Sequence, residues 1–385
     1  MKSIQLFTLI MLTLLFACEQ KLSREKNASN YVYELEIVDS LSIDYLGEMY
    51  LLSVDADNDL FLFMGSKFDQ LMLVNRQGEI ISEYDEPTDA PGSFGDLAMG
   101  GSVNNGKIAV RGLRKLNVYD LQFNLLETFV NNTPMSLSTI YLGYEHLQPF
   151  EKDGQTHYVS YSAGPQTTYK SNDANYYVEF NNFEYINTTN KTFEPIVPFH
   201  DRSLFFQPKT AFNAIKPWFQ VVGEEIHYVH NLDSMYYRFN INNPEEHFAE
   251  QIPFDEFILP KGFGFGKEES ENSQKDRHGN VSNIFVHDGQ SLILYRSGLK
   301  EHEIPEKIED NTENWKRILE KDKLKLIVRE SDGSYSAPST ISSKLTLQSF
   351  DKKGRLWVKP NLYFLDYEPD MVTFYETRLI KKEKE

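Results

Sequence analysis

The sequence is short of cysteine, of positive charge and of long apolar runs, and each shortage excludes a class of protein. Its one cysteine, Cys18, rules out an internal disulfide. Because that cysteine lies near the amino end, the body of the chain has no cysteine nucleophile. The 39 Lys and Arg residues are outnumbered by 57 Asp and Glu residues, which gives a net charge of −18. A chain this acidic repels a polyphosphate backbone, and we expect no nucleic-acid partner.

Familiar catalytic and metal-binding motifs are missing as well. The sequence contains no Gly-x-Ser-x-Gly nucleophile elbow. The glycine-rich segment 262–267 has the wrong glycine spacing for a phosphate-binding loop, and it is better explained as a loop between repeats. His227 and His230 lie three residues apart in a strand-like segment, so their side chains point to opposite faces and cannot share a metal ion. We therefore assign no catalytic residue and predict neither a metal ion nor a cofactor.

The one pronounced apolar run lies at the amino end. After Lys2, residues 4–16 form an apolar segment that is short for a membrane-spanning helix and typical of a signal peptide. Leu15-Phe16-Ala17-Cys18 then resembles a bacterial lipobox, which implies cleavage before Cys18 and acylation of its thiol. The alternative is an ordinary secretory signal with a chance cysteine. We predict a lipoprotein signal peptide at 1–17 and a flexible, polar tether at 18–30.

An acylated Cys18 makes a membrane the first predicted partner. Two or three acyl chains anchor a protein stably, whereas one chain gives only marginal binding. The predicted location is the cell envelope, with the lipid in the outer membrane on its periplasmic or surface face. The inner membrane is the alternative.

The rest of the chain alternates between apolar and polar residues and is punctuated by hairpin turns. In 74–81 an Asn and a Gly stand where a tight turn needs a side-chain acceptor and a positive φ. Asn75 of this turn is followed by Asp120 of a similar turn at a spacing of 45 residues. Repeats of that length, each holding about four strands, indicate an all-β fold of the β-propeller type. We count six blades, with seven as the alternative; the six units lie near 45–86, 97–130, 140–196, 210–253, 278–334 and 340–380.

The last repeat is one strand short. It shows clear strands at 356–358, 363–365 and 372–375, and the alternating segment 31–38 has no repeat of its own. We therefore predict one propeller domain, 31–385, whose ring is closed by an amino-terminal strand at 31–38.

A single short helix interrupts the β pattern. Within 311–321, apolar residues recur at Trp315, Ile318 and Leu319, the spacing of an amphipathic helix. Asp310 and Glu313 resemble a capping box at its start. We expect a helical insertion packed on the rim or face of the propeller.

These features together resemble a known group of proteins. A lipobox, the hairpin at 74–81 and the loop 86–95 are similar to those of six-bladed propeller lipoproteins of Gram-negative bacteria, many of them in families of unknown function. In that loop Pro91, Gly92 and Phe94 match the family's Gly-x-Gly-Pro-Gly-Glu-aromatic pattern. Thr88 and Ala90 replace its first two glycines, and Ser93 replaces the Glu. The resemblance implies the fold and the location, and it implies no catalytic residue.

Propeller ligands usually bind at the axial mouth, where the loops that enter the innermost strands converge. The longest such loop with ordered features, 197–217, carries Arg202 and is followed by Trp218. A cationic and aromatic cluster in an acidic protein is suited to a carboxylate or sulfate group. We predict a ligand site formed by Arg202 and Trp218, with Tyr144 and His146 across the channel.

Two functions remain open from the sequence. The first is a membrane-tethered binding or interaction module for a protein, peptide or glycan. The alternative is a hydrolase or lyase that acts on saccharides with channel carboxylates as acid and base. The fold alone does not separate the two functions. A buried pair of carboxylates at the channel mouth would favour the enzyme.

Overall fold

The chain folds into a closed ring of β-sheets. The computed structural model describes residues 29–95, 97–132, 147–161, 169–212, 215–267, 274–365 and 369–384. This part of the chain forms six four-stranded antiparallel sheets. The innermost strands of successive sheets contact one another around a ring that returns from the last sheet to the first. The fold is therefore an all-β propeller with six blades, as the repeats predict, and the seven-bladed alternative is wrong.

The first strand in the chain, β1 (Tyr31–Ile43), precedes blade 1. Blade 1 contains β2 (Met49–Asp55), β3 (Leu60–Gly65), β4 (Leu71–Asn75) and β5 (Ile80–Tyr84). Blade 2 contains β6 (Gly100–Asn104), β7 (Lys107–Arg111), β8 (Lys115–Asp120) and β9 (Leu125–Val130). Blade 3 contains β10 (Leu147–Lys152), β11 (Gln155–Tyr161), β12 (Asn181–Asn187) and β13 (Thr192–Pro198).

The second half of the ring repeats this arrangement. In blades 1 to 5 the strands run in chain order from the axis outwards, and blade 6 differs only in its outermost strand. Blade 4 contains β14 (Pro217–Val222), β15 (Glu225–His230), β16 (Met235–Asn240) and β17 (His247–Gln251). Blade 5 contains β18 (Asn280–His287), β19 (Gln290–Arg296), β20 (Lys325–Arg329) and β21 (Ser339–Thr340). Blade 6 contains β22 (Leu345–Phe350), β23 (Leu356–Pro360), β24 (Val372–Glu383) and, outermost, β1.

Blade 6 joins the two ends of the chain. The amino-terminal strand is longer than the segment 31–38 and pairs with β24 from Tyr31 opposite Glu383 to Ile43 opposite Val372. Leu41 and Ile43 are buried in a core that also contains residues of blade 1. The expected strand at 363–365 is wrong, because a 3₁₀ helix occupies Leu362–Phe364 and the innermost strand of the blade is β22.

The two faces of the propeller differ. The face at which the innermost strands end, here called the turn face, carries the short hairpin turns. At one of them Asn75 Oδ1 accepts from the backbone N–H groups of Gln77 and Glu79, each at 3.0 Å. Gly78 has φ +84°, and a Cβ there would lie 2.0 Å from the Ser42 carbonyl oxygen, so only glycine fits. These turns satisfy their own polar groups, and they leave little surface for a ligand.

The opposite face, here called the loop face, carries the long connections and both α-helices of the described residues. Helix α1 (Ala174–Glu179) joins β11 to β12, and α2 (Asn311–Lys321) joins β19 to β20. The predicted helix is confirmed, and Asp310 caps it by accepting from the Glu313 N–H at 3.0 Å. Helix α1 has too few turns for its period to be read from the sequence. Neither of these helices has the length and apolarity that crossing a bilayer requires.

Candidate functional site

The central channel is lined mainly by small or neutral polar side chains. The end of the channel near the turn face is a cavity of about 240 Å³. Gln220 Oε1 accepts from the Val286 N–H at 2.6 Å, and Ser53 Oγ accepts from the Val103 N–H at 3.2 Å. Each of these bonds ties one blade to the next. The channel polar groups therefore hold the ring together.

Two carboxylates lie at the turn-face end of this channel, and both stabilise turns. Asp55 Oδ1 accepts from the backbone N–H of Asp57 at 3.1 Å. Asp351 accepts from the backbone N–H of Arg355 at 3.1 Å and from its guanidinium at 2.7 Å. Because each carboxylate is used by its own hairpin, the pair does not form the acid and base that the enzymatic alternative requires.

The residues that the sequence singles out for ligand binding lie apart where they are described. Arg202 donates through Nη1 to the Ala249 carbonyl at 2.5 Å, on the outermost strand of blade 4. Trp218 lies on the innermost strand of the same blade, with Lys216 Nζ 3.7 Å from its ring centre. Tyr144, His146 and the lipidation residue Cys18 lie outside the described residues.

The histidine pair in blade 4 has a structural role. His227 Nδ1 lies 2.6 Å from the Tyr236 hydroxyl, whereas His230 Nε2 lies 2.8 Å from Asn182 Oδ1 in blade 3. The two rings thus face opposite neighbours, as the strand spacing predicts. Burial lowers the pKa of His227 to about 4 and that of His230 to about 3, so both are neutral at pH 7. In the described segments, no group of three or more His, Cys, Asp or Glu residues is placed to hold a metal ion.

The glycine-rich segment 262–267 packs onto the loop face. Phe263 is buried and exchanges backbone hydrogen bonds with Ala211, at 2.7 and 3.0 Å. Phe265 packs edge-on against Tyr177 of α1. A Cβ at Gly262 would lie 2.6 Å from the Ala211 carbonyl oxygen, so close packing explains this glycine. The loop completes an apolar layer above blades 3 and 4 and leaves no phosphate cradle.

A groove on the loop face, between blades 6 and 1, has the geometry of a binding site. It consists of two adjoining cavities of about 440 and 460 Å³, within the roughly 300–1,000 Å³ typical of ligand pockets. Four residues line both cavities: Glu48, Lys359, Pro360 and Leu362. We call this feature the seam groove, because it lies where the chain passes from β1 of blade 6 to β2 of blade 1. Its other lining residues are Gly47, Met49, Tyr50, Thr312, Thr346, Asn361, Tyr363, Leu365, Pro369, Met371, Val372, Thr373 and Tyr375.

The floor of the seam groove is an ion pair between a buried lysine and a partly exposed glutamate. Lys359 Nζ lies 3.0 Å from Glu48 Oε1 and donates to the Met49 carbonyl at 3.2 Å. Tyr50 donates its hydroxyl to Glu48 Oε2 at 2.6 Å, and its ring centre lies 4.5 Å from the ammonium. Burial lowers the pKa of Lys359, an effect that Glu48 opposes. Burial, followed by the hydrogen bond to Glu48, raises the pKa of Tyr50.

The rim of the groove exposes apolar side chains to water. Leu46, in the link from β1 to β2, is 81% exposed, and Leu362, Tyr363 and Met371 are each nearly half exposed. Apolar groups clustered around a concave site indicate a binding surface, whereas isolated ones carry no such meaning. Besides the four shared residues, the first cavity is lined mostly by Leu, Met, Pro and Val side chains, with one threonine and one tyrosine, and the second by two tyrosines, two threonines and an asparagine.

The arrangement is suited to binding more than to chemistry. Both Glu48 oxygens already accept hydrogen bonds, and the Lys359 ammonium is neutralised by Glu48. Sequence reasoning missed this site because its two charged residues are separated by more than 300 positions. The one local signal is the run of apolar residues after β23, and its short alternation predicts a strand instead of a groove wall.

Comparison with known proteins supports the fold. The sequence matches no protein-family model and no curated protein. A crystal structure of a member of the DUF4221 family from Bacteroides vulgatus is similar, with a TM-score of 0.63, 10% identity, and coverage of 91% of this chain and 99% of that one. A candidate exported protein from Bacteroides fragilis is similar with a TM-score of 0.54 and 12% identity, over 94% of this chain and 98% of the other. Likeness at this level shows that the chain shares the six-bladed propeller fold with these bacterial proteins.

Proposed function

We propose that this protein is an extracytoplasmic lipoprotein that binds a partner molecule through the seam groove of its propeller. The observation that carries the proposal is the contrast between the two faces. The turn face carries self-satisfied hairpins, whereas the loop face presents a groove with an apolar rim and a charged floor. A binding module fits this contrast because, among the described lining residues, the groove's one carboxylate and its one amine are paired with each other.

The tether rests on the amino-terminal sequence. The apolar run and lipobox at 1–18 direct the chain out of the cytoplasm and supply one acylation site. A similar propeller from Bacteroides fragilis is described as a candidate exported protein, which agrees with this direction. We place the lipid in the outer membrane, on its periplasmic or surface face.

Replacing the lipidation residue tests the tether directly. The Cys18→Ser variant is expected to move from the membrane pellet to the supernatant, because a serine hydroxyl takes no thioether-linked lipid. Labelled palmitate should enter the unchanged protein and be absent from the variant. Circular dichroism of the released variant should match that of the unchanged protein. A variant that stays in the pellet would contradict lipid anchoring.

Site-specific photocrosslinking tests binding at the groove. A benzoyl-phenylalanine at Leu362, on the rim, is expected to give a covalent adduct with the partner in producing cells, because a bound molecule covers that position. The matched control is Val178, which is 73% exposed on α1 of the same face but far from the groove in the ring order. Equal labelling from both positions, or none from Leu362, would count against a groove partner.

A further inference from the structure

We infer that the seam groove recognises a peptide segment of a partner protein, one that places a bulky apolar side chain in the first cavity and a Lys or Arg side chain beside Glu48. This inference rests on the proposed function and gives it a ligand class. Three observations lead to it: the apolar lining of one cavity, the acidic framing of the groove, and the aromatic lining of the other cavity.

The first cavity is built for an apolar side chain. Leu362, Leu365 and Met371 form an apolar wall together with Pro360 and Pro369. The polar side chains of the cavity are those of Glu48, Lys359, Thr373 and Tyr375. Prolines contribute no backbone N–H donor, so this wall offers few partners for sugar hydroxyls. A glycan would leave its hydroxyls unpaired against such a surface, at a cost that an apolar peptide side chain does not incur. The cavity therefore favours a Leu, Met or aromatic side chain over a sugar ring.

The charges around the groove favour a cation. The described residues of the two framing loops, 44–48 and 361–371, include Asp44, Glu48 and Asp370 and no Lys or Arg. Lys359 offsets Glu48, with which it is paired on the floor, so Asp44 and Asp370 are the carboxylates that remain among the described residues of these loops. The whole chain carries a net charge of −18, which steers cationic partners toward it. An anionic lipid headgroup placed here would be repelled by the same carboxylates.

The second cavity can hold the cationic side chain. It is lined by Tyr50 and Tyr363, and the Lys359 ammonium lies 4.5 Å from the Tyr50 ring centre. A guanidinium or ammonium entering from solvent would meet the half-exposed Tyr363 ring and the exposed third of the Glu48 side chain. The two cavities adjoin, so neighbouring side chains of one extended segment can fill both.

The test is selection of random twelve-residue peptides displayed on phage against the purified full-length protein in detergent. The enriched peptides are expected to pair a bulky apolar residue with Arg or Lys. Binding of one labelled peptide, followed by fluorescence anisotropy, should weaken about tenfold or more in Met371→Asp, because a charge then enters the apolar cavity. Val178→Asp, the same change on an exposed apolar residue of α1, should bind as the unchanged protein does.

A double-mutant cycle tests the cation contact. Asp370→Asn and Glu48→Gln should each weaken the Arg-containing peptide, and they should have little effect on the same peptide with that Arg replaced by Ala. Raising the salt concentration should weaken only the Arg-containing peptide. Asp370 is exposed in the loop that frames the first cavity, so Asp370→Asn tests the charge of that loop without disturbing the ion pair of Lys359 and Glu48.

The outcomes separate this inference from the proposed function. Acidic or purely apolar selected peptides, or an absence of coupling with the peptide Arg, would overturn the inference. If phosphatidylglycerol vesicles or a glycan bind the unchanged protein and Met371→Asp abolishes that binding, the groove remains a binding site, but the inference that its ligand is a peptide is wrong. If a peptide of the expected class binds but Met371→Asp leaves its affinity unchanged, the assignment to the groove fails.

Discussion

Deletion of residues 31–43 is expected to abolish cooperative unfolding of the propeller. The deletion removes β1, and with it the buried side chains of Tyr33, Leu41 and Ile43. At about 1.5–3 kcal/mol for each buried apolar side chain, the three account for roughly 5–9 kcal/mol. Domains of this kind are stable by only about 5–15 kcal/mol, so most of the stability is lost. The edge of β24 would also lose its partner strand and become open to aggregation.

A circular permutant provides the matched control for this deletion. The Lys384 N–H donates to the Asn30 carbonyl at 2.7 Å, so the two ends of the blade 6 hairpin already lie side by side. A chain that begins at Asp44 and carries 29–43 after a short Gly-Ser linker at its carboxyl end restores the same strand. Thermal unfolding by circular dichroism should be cooperative for the permutant and absent for the deletion. A deletion variant with an unchanged melting temperature would show that ring closure is dispensable.

The fold could be predicted because its repeats contain hairpin turns that are stabilised by residues close to one another in the sequence. Asp120 Oδ1 accepts from the backbone N–H groups of Gln122 and Asn124, each at 2.9 Å, which is the same device that Asn75 uses in blade 1. Such side-chain-to-backbone bonds depend on residues within four positions, and a single sequence displays them. The spacing of the turns then predicts six blades, and the six sheets of the structure exclude the seven-bladed alternative.

The seam groove could not be predicted in the same way. Glu48 and Lys359 meet only because the ring closes, so no local pattern links them. The 3₁₀ helix at Leu362–Phe364 resembles a strand in sequence, because three residues are too few to separate the two periods. Arg202 stood out by its charge, yet its guanidinium is held by the backbone of an outer strand. Charge and residue type locate candidates, whereas the contacts that select among them are tertiary.

Substitution of Arg111 by Met is expected to lower the free energy of unfolding by about 3–5 kcal/mol. Arg111 in blade 2 and Glu184 in blade 3 are each 1% exposed, and Arg111 Nη2 lies 2.8 Å from Glu184 Oε2. Asn131 Nδ2 donates to the other carboxylate oxygen at 3.1 Å. Removing the guanidinium would leave a buried carboxylate without its cation, and that desolvation cost explains the large effect. Urea unfolding at pH 7 measures it.

Two further variants test whether burial, and not the ion pair as such, sets the loss in the free energy of unfolding. Glu127 and Lys191 join the same two blades at the same 2.8 Å, but both are largely exposed, and Lys191→Met should cost no more than about 1 kcal/mol. Adding Glu184→Gln to Arg111→Met should recover much of the lost stability, because the buried negative charge is then removed together with its cation. Equal effects of Arg111→Met and Lys191→Met would mean that water reaches the Arg111 site and that blades 2 and 3 are less tightly joined than their contacts indicate.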